Sequence, residues 1–239
     1  ISGTIHEAGH GMYEHNLPIE FFGTPLGQYC SMSVHESQSR MWENNVGKSK
    51  YFWKKFFPEL RKSYDLDIEL DDFYKIINKV EPSFIRTEAD ELTYSLHIIL
   101  RFEIELGLME EKISVKNLPE VWNEKFREYF GIVPPGDSLG VLQDIHWSGG
   151  NIGYFPTYTL GSMIAAQLFA AAEKDIPNLA INIGDGRFDE LISWLNKKIW
   201  SNGKRYLTKE LIRNTTGKDP GPDDYLDYLN NKYSEIYRL

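Results

Sequence analysis

The sequence has one cysteine and no long apolar run, and each of these absences excludes a class of protein. Cys30 is the only cysteine among 239 residues, so no disulfide can form within the chain. This usage is typical of a reducing compartment, and we expect a cytoplasmic location. No apolar run approaches the roughly 20 residues that a membrane-spanning helix needs, and no signal-peptide pattern is visible. We therefore do not expect a membrane partner.

An excess of positive charge is also lacking. Lys and Arg number 26 against 35 Asp and Glu, which leaves a formal net charge of −9 at pH 7. Nucleic-acid surfaces need clustered Lys and Arg, so nucleic acid is not an expected partner. The basic stretch at residues 48–62 interleaves lysines with aromatic residues, and in this acidic chain that pattern favours a packed helix with solvated lysines.

No strong strand pattern, internal repeat or low-complexity tract is present, and the apolar spacing is helical. We predict an all-α fold in which residues 1–239 form a single helical portion. The buried stripe of the long central helix is predicted to consist of Leu92, Leu96, Ile99, Leu100, Ile104 and Leu108. Residues 181–183 are predicted as a short extended piece. One predicted helix starts at Ser31 or Ser33, and the long central helix is predicted to end near Met109. The other predicted helices span residues 4–16, 71–80, 117–131, 155–172, 186–200, 208–215 and 222–237.

The clearest chemical signal is the stretch His6-Glu7-Ala8-Gly9-His10. Residues four apart on a helix lie on the same face, so both histidines can point at one metal ion. In zinc peptidases with this His-Glu-x-x-His pattern, the glutamate takes the proton from the metal-bound water. Glu7 is therefore the predicted general base. The alternative is that the pattern arose by chance, and the rest of the chain has to decide between these two interpretations.

A third metal ligand has to come from another part of the chain. Metzincins place a third His six residues after the second, but Asn16 occupies that position and Tyr13 replaces the required Gly. A carboxylate from a second helix remains, as in His₂Glu zinc sites. Spacing favours Glu36 over Glu43, which lies two turns further along the same helix. The plain alternative is that both are ordinary surface charges.

Two later stretches also carry reactive side chains. Arg86 precedes the long central helix and could bind an anionic group. Alternatively, it forms a structural ion pair with Glu88 or Glu91. Residues 140–158 combine a glycine-rich turn with His146 and two tyrosines, which is more typical of a site than of a core. A buried, hydrogen-bonded histidine is the equally weighted alternative there.

Four stretches, in this order, resemble the signature motifs of the carboxypeptidase Taq family, and the match spans nearly the whole chain. They are His6-Glu7-Ala8-Gly9-His10, His35-Glu36-Ser37-Gln38, Ile85-Arg86-Thr87-Glu88-Ala89-Asp90 and Gly140-Val141-Leu142-Gln143-Asp144-Ile145-His146-Trp147. The resemblance implies a helical metallopeptidase fold related to neurolysin and the angiotensin-converting enzymes. It also implies a homodimer that removes C-terminal residues from peptides with broad specificity. Full-length members are much longer, and their upstream Asp-x-Arg-x-Thr motif is absent here, so we expect residues 1–239 to be the C-terminal catalytic portion.

The resemblance implies a metal centre. Zinc, or alternatively cobalt, would be bound by His6, His10 and Glu36, with Glu7 as general base.

The resemblance also implies how the substrate is bound. By analogy with the neurolysin group, His146 and Tyr158 are expected to donate hydrogen bonds to the oxyanion of the tetrahedral intermediate. Tyr154 is the alternative to Tyr158 and a further expected substrate contact. Arg86 is expected to bind the free C-terminal carboxylate, because a guanidinium pairs with a carboxylate through two parallel hydrogen bonds.

Two other functions stay open at this point. A zinc oligopeptidase or endopeptidase of the same fold would use the same metal and base without binding a terminal carboxylate. A helical fragment that binds metal, or assembles with a missing half, would catalyse nothing.

Overall fold

The computed structural model describes residues 1–239 and contains eleven α-helices and no strand, which confirms the all-α prediction. Two compact units make up the chain: residues 1–77 with 160–239, and residues 78–159. The boundary falls within α7. The helices are α1 (Ser2–His15), α2 (Met32–Arg40), α3 (Lys50–Tyr64), α4 (Leu70–Ile77), α5 (Tyr94–Met109), α6 (Leu118–Phe130), α7 (Pro156–Asp175), α8 (Leu179–Gly184), α9 (Asp189–Lys198), α10 (Thr208–Thr216) and α11 (Asp223–Tyr237).

The first unit is held together by a core of aromatic and aliphatic side chains from α1, α2, α7, α9 and α10. Its fully buried members include Tyr13, Val34, Leu168, Leu195, Trp200 and Ile212. Two hydrogen bonds inside this core join distant parts of the unit. The Tyr13 hydroxyl accepts from the Cys30 backbone N–H at 3.0 Å. The Trp200 indole N–H donates to Gln38 at 2.8 Å. These bonds fix α2 against its neighbours.

Helix α2 begins where the sequence predicted. Ser31 is the N-cap, and its hydroxyl accepts from the Val34 backbone N–H at 3.3 Å. The helix continues into a π-helical segment, Met41–Val46. Such wider turns occur often near functional sites.

The second unit contains α5, α6 and the segment from Gly131 to Thr159. Its core includes Leu100, Ile104, Trp122, Phe126, Phe130 and Val141. Helix α6 ends at Gly131, which adopts a left-handed conformation with φ 72°. This is the predicted end of the helix, since glycine carries no Cβ penalty there.

Part of the predicted stripe of α5 is wrong. Leu100 and Ile104 are fully buried, but Leu92 and Ile99 are each 40% exposed. The buried side of α5 instead includes charged and polar residues, His97, Arg101 and Glu105. An apolar pattern cannot select such residues, because their burial depends on partners from elsewhere in the chain.

The predicted extended piece at residues 181–183 is also wrong. These residues belong to α8, in which Leu179 and Ile183 are both buried. The two side chains are four apart, so they share a helical face. Helix α4 ends at Ile77, before the predicted end. None of the helices combines the length and the apolar character that crossing a bilayer would require.

Candidate functional site

Helices α1 and α2 bring together the three predicted metal ligands. His6 and His10 lie on α1 and Glu36 lies on α2, and one ligand atom from each residue falls within 4.8 Å of the others. The Nε2 atoms of His6 and His10 lie 3.7 and 3.4 Å from the Glu36 Oε2 atom. The three donors therefore converge on one point.

Two glycines allow this convergence by letting helices approach closely. A Cβ added at Gly9 would lie 2.7 Å from the carbonyl oxygen of Gln38 and from the Cα of Ser39. A Cβ added at Gly161, on α7, would lie 2.5 Å from the Glu36 Cγ. Real Cβ atoms do not come this close to other heavy atoms. Gly9 lies inside the His-Glu-x-x-His stretch of the sequence, whereas nothing in the sequence distinguishes Gly161.

Glu36 is held in place by its own helix. Arg40 Nε donates to Glu36 Oε1 at 2.9 Å, and the Ser39 hydroxyl donates to Oε2 at 3.2 Å. Burial alone would raise the pKa of Glu36, but the hydrogen bond to His10 and the positive charge of Arg40 together lower it. The carboxylate is therefore ionised and its Oε2 atom faces both histidines, as a metal ligand requires.

Glu43, the alternative ligand in the sequence analysis, contacts the other nitrogen of His6. Its Oε2 atom lies 2.9 Å from His6 Nδ1 and accepts from Arg40 Nη1 at 3.3 Å. Burial would raise the pKa of Glu43, but His6 and Arg40 outweigh it and lower the pKa to about 2. An ionised carboxylate at Nδ1 favours the tautomer that leaves the Nε2 lone pair free.

His10 is supported in a similar way. Its Nδ1 lies 2.5 Å from His35 Nδ1, and His35 Nε2 lies 2.8 Å from Glu14 Oε1. Both candidate ligands therefore use Nδ1 for protein contacts and direct Nε2 toward Glu36.

This donor set fits a divalent metal. Two imidazole nitrogens and one carboxylate oxygen are a set that catalytic zinc uses, leaving a fourth position open. Ligand atoms at zinc distances in tetrahedral geometry lie about 3.3 Å apart, and the two nitrogen–oxygen separations of 3.4 and 3.7 Å approach this value. Glu7, the predicted base, follows His6 on α1 and is exposed.

The second unit brings together the four other predicted site residues. His146 Nε2 lies 2.9 Å from the Tyr158 hydroxyl. The Tyr154 ring lies 5.6 Å from the His146 ring and 5.4 Å from the Tyr158 ring, between centroids. The guanidinium carbon of Arg86 lies 4.7 Å from the centre of the Tyr158 ring. Burial lowers the pKa of His146, which favours the neutral imidazole.

Arg86 has a partner that the sequence analysis did not predict. Its Nε and Nη2 atoms donate to Asp144 Oδ1 at 3.1 and 2.8 Å, and Nη1 donates to the Tyr94 hydroxyl at 3.1 Å. The expected alternative, an ion pair with Glu88 or Glu91, is therefore wrong. A guanidinium has five N–H donors. Three of them are used by Asp144 and Tyr94, and two remain for another acceptor.

Asp144 joins two arginines and is the main residue that the sequence analysis missed in this cluster. Its other oxygen accepts from Arg101 Nε at 2.7 Å, and Arg101 is fully buried. Burial would raise the pKa of Asp144, but the charges of Arg101 and Arg86 lower it. Asp144 lies two residues before His146 in the resembling stretch, which is a usable signal. Arg101 lies within the predicted central helix, and its spacing there gives no usable signal that it is buried.

Comparison with known proteins identifies the family of the chain. The sequence model of the carboxypeptidase Taq (M32) metallopeptidase family matches residues 1–233. The chain belongs to this family.

Relatives of the M32 chain include "Thermostable carboxypeptidase 1" of Thermus thermophilus, which is 46% identical over 99% of this chain and 47% of its own length. "Carboxypeptidase 1" of Bacillus subtilis is 45% identical over 100% of this chain and 48% of its own length. The crystal structure of the M32 carboxypeptidase from Deinococcus radiodurans R1 superposes with a TM-score of 0.96 at 41% identity, covering 100% of this chain and 49% of that one. The M32 chain thus spans about half the length of the curated relatives it matches.

Proposed function

We propose that the complete protein is a zinc-dependent metallocarboxypeptidase that hydrolyses the C-terminal peptide bond of peptides with broad specificity. The observation that carries this proposal is the convergence of His6, His10 and Glu36, whose ligand atoms lie within 4.8 Å of one another. The two histidines use Nδ1 for their hydrogen bonds to protein groups, and Glu36 Oε2 accepts one from the Ser39 hydroxyl, so the converging atoms keep a lone pair for a metal. In a metallopeptidase family, this donor set supports a catalytic metal.

His6, His10 and Glu36 would hold the metal, and Glu7 would move the proton. A divalent ion held by these three ligands would supply two things: a lower pKa for the attacking water and polarisation of the substrate carbonyl. The Glu7 carboxylate accepts the proton that the attacking water loses and then delivers it to the leaving amine. Its exposed position on α1 supports this role, because the carboxylate has to reach solvent and substrate alike.

His146 and Tyr158 would stabilise the developing oxyanion. The tetrahedral intermediate carries a negative oxygen that needs preorganised donors. The 2.9 Å contact between His146 Nε2 and the Tyr158 hydroxyl places the two groups side by side, and when Nε2–H is the donor the Tyr158 O–H is free to donate to the oxyanion. Tyr154, whose ring packs next to both, is the proposed further substrate contact.

Arg86 would bind the terminal carboxylate of the substrate. Asp144 and Tyr94 occupy three of its five N–H donors, and the two that remain belong to Nη1 and Nη2. Because the guanidinium is already held by these partners, little side-chain entropy would be lost when a substrate carboxylate is bound.

Three finer assignments belong to the same proposal. Zinc is the proposed ion, with cobalt as the alternative, since both suit imidazole and carboxylate ligands. A homodimer is proposed from the resemblance to the family. A cytoplasmic location is proposed because Cys30 is the only cysteine and is buried and unpaired.

The decisive experiment uses the complete, metal-loaded protein and two peptides that differ only in a free or amidated C-terminus. We expect stoichiometric metal, release of the last residue from the acid peptide, and loss of activity with a chelator that zinc or cobalt restores. Equal cleavage of acid and amide peptides would identify an endopeptidase or oligopeptidase. Bound metal without cleavage of either peptide would contradict the catalytic proposal.

A further inference from the structure

Two oppositely charged residues lie one turn apart on the buried side of α5. Arg101 is fully buried and Glu105 is 4% exposed. Charged residues are almost never buried to this extent without partners. Both take partners from the segment that carries His146.

Arg101 holds the residues that precede His146. Its Nε donates to Asp144 Oδ2 and its Nη2 to Gln143 Oε1, both at 2.7 Å. Its Nη1 donates to the carbonyl of His97 at 2.7 Å, on its own helix. The guanidinium carbon lies 4.8 Å from the centre of the Trp122 ring. All three nitrogens of Arg101 are thus engaged, so the guanidinium is a fixed anchor.

Glu105 holds the residues that follow His146. Its Oε2 accepts from the Trp147 indole N–H at 2.8 Å, and its Oε1 accepts from the Gly153 backbone N–H at 2.5 Å. These two bonds span the glycine-rich turn between Trp147 and Gly153. Glycine-rich backbone is otherwise conformationally free, so a buried carboxylate that binds both ends restricts it.

His146 itself lacks an anchor at one ring nitrogen. Its Nε2 contacts Tyr158, but its Nδ1 is buried without a hydrogen-bond partner. The nearest carboxylate oxygen, Asp144 Oδ1, lies 3.7 Å from Nδ1. The ring packs against Phe155 at 4.4 Å between centroids. Packing and backbone placement therefore have to position the imidazole.

We infer that Arg101 and Glu105 are positioning residues that hold His146 against the Tyr158 hydroxyl by anchoring the segments on either side of it. This inference rests on the proposed function in one respect only, the catalytic role of the His146–Tyr158 pair. The anchoring itself concerns the structure of the second unit. A misplacement of about 1 Å can cost about 100-fold in rate, so such anchors affect turnover without touching substrate.

The test replaces Glu105 by Gln in the complete, metal-loaded enzyme. Gln can still accept one hydrogen bond but cannot accept both. We expect kcat to fall by about tenfold or more while KM changes by less than about threefold. Glu103→Gln, at a half-buried position of the same helix whose partner is Lys125 and not the His146 segment, is the matched control and should keep wild-type kcat. Arg101→Lys should retain the charge contact to Asp144 but lose the bond to Gln143, and should fall between Arg101→Ala and wild type.

Two readouts separate positioning from general loss of structure. The kcat loss of Glu105→Gln should nearly disappear in a Tyr158→Phe background, because the pair is already broken there. The imidazole ¹⁵N signals of His146, assigned with His146→Gln, should shift in Glu105→Gln and remain unchanged in Glu103→Gln. If Glu105→Gln fails to fold, Trp147→Phe removes one donor of the same anchor and replaces it.

The outcomes are distinct. An equal kcat loss with and without Tyr158→Phe, or unchanged His146 signals in Glu105→Gln, would overturn the positioning inference. Wild-type kcat in Tyr158→Phe would instead contradict the proposed oxyanion role. In that case the His146 signals alone decide whether α5 positions the ring.

Discussion

At the scale of single residues, two glutamates near the candidate metal centre have different surroundings despite identical chemistry. Glu7 follows His6 on α1 and is exposed, whereas Glu43 contacts His6 Nδ1 at 2.9 Å. Only burial and partners distinguish the proposed base from the residue that orients a ligand. The same Glu→Gln change should therefore have opposite consequences at the two positions.

Glu7→Gln should keep the metal and lose turnover. The amide preserves the shape of the side chain but cannot accept a proton, and loss of a general base costs about 10²–10⁴-fold in rate. Metal content by atomic absorption and kcat on an acid peptide check this together. A metal-loaded variant with near wild-type kcat would show that another group accepts the proton.

Glu43→Gln should weaken metal binding. A partner at the non-ligating nitrogen of a metal-binding histidine is worth about 10–100-fold in affinity, and the amide replaces an ionised carboxylate whose pKa is about 2. Competition with a chelator measures the affinity. The Glu7→Gln protein is the matched control, and equal affinities in the two variants would contradict the role of Glu43.

Arg86→Ala should reduce kcat/KM on acid peptides by roughly 10- to 150-fold, which corresponds to one charge-assisted hydrogen bond. The loss on amidated peptides should be much smaller. Arg86→Lys should rescue only partly, because an ammonium cannot form the two-pronged contact. Parallel losses on both peptides, with lower stability, would mean that Arg86 serves only to neutralise Asp144, to which it donates at 2.8 Å.

At the scale of secondary-structure elements, the candidate metal centre depends on how closely α1 approaches α2. Gly9 and Gly11 lie on the same helix, but only Gly9 is in tight contact. A Cβ at Gly9 would lie 2.7 Å from backbone atoms of α2, while a Cβ at Gly11 would meet nothing within 4 Å. Backbone atoms cannot move aside as a side chain can.

Gly9→Ala should therefore separate α1 from α2 and lower both stability and metal affinity. Overpacking of this kind costs about 1–3 kcal/mol. Gly11→Ala should be neutral or stabilising by up to about 1 kcal/mol, since alanine favours the helix. Denaturant unfolding and metal titration of both variants check this. Equal metal affinity in Gly9→Ala and wild type would show that the helices can adjust.

At the scale of the whole molecule, buried ionisable groups make stability depend on pH. His97 is fully buried and neither of its ring nitrogens has a hydrogen-bond partner. Burial, with the charges of Arg101 and Arg86, lowers its pKa from 6.5 to about 3. Between these values the unfolded chain binds more protons than the folded one, so acidification favours unfolding.

Below pH 6.5, His97 lowers the free energy of unfolding by as much as about 1.4 kcal/mol for each pH unit of acidification. His97→Leu removes this group, so the variant should gain about 2 kcal/mol relative to wild type when the pH falls from 7 to 5. Denaturant unfolding at the two pH values measures the change. His15→Gln, at an exposed position, is the control. If the free energy of unfolding of His97→Leu differs from that of wild type by the same amount at both pH values, the buried imidazole of His97 is not neutral as inferred.

Local patterns in the sequence determined most of the helices and the residues that could carry chemistry. The i, i+4 spacing of His6 and His10, the cap at Ser31 and the stop at Gly131 are each decided by a few neighbouring residues. Glu36 was also predicted from its spacing and from the resemblance to the M32 family, which named His146 and Tyr158 as site residues without predicting their contact with each other.

Only the tertiary structure decided which groups pair with one another. The choice of Asp144 over Glu88 or Glu91 for Arg86, the contact of Glu43 with His6 Nδ1, and the burial of His97, Arg101 and Glu105 join atoms from distant parts of the chain. Such partners cannot be read from local spacing, because burying a charge is stable only when packing brings its counterpart within hydrogen-bonding distance. The need for glycine at position 161 has the same origin, since it appears only once α7 lies against Glu36.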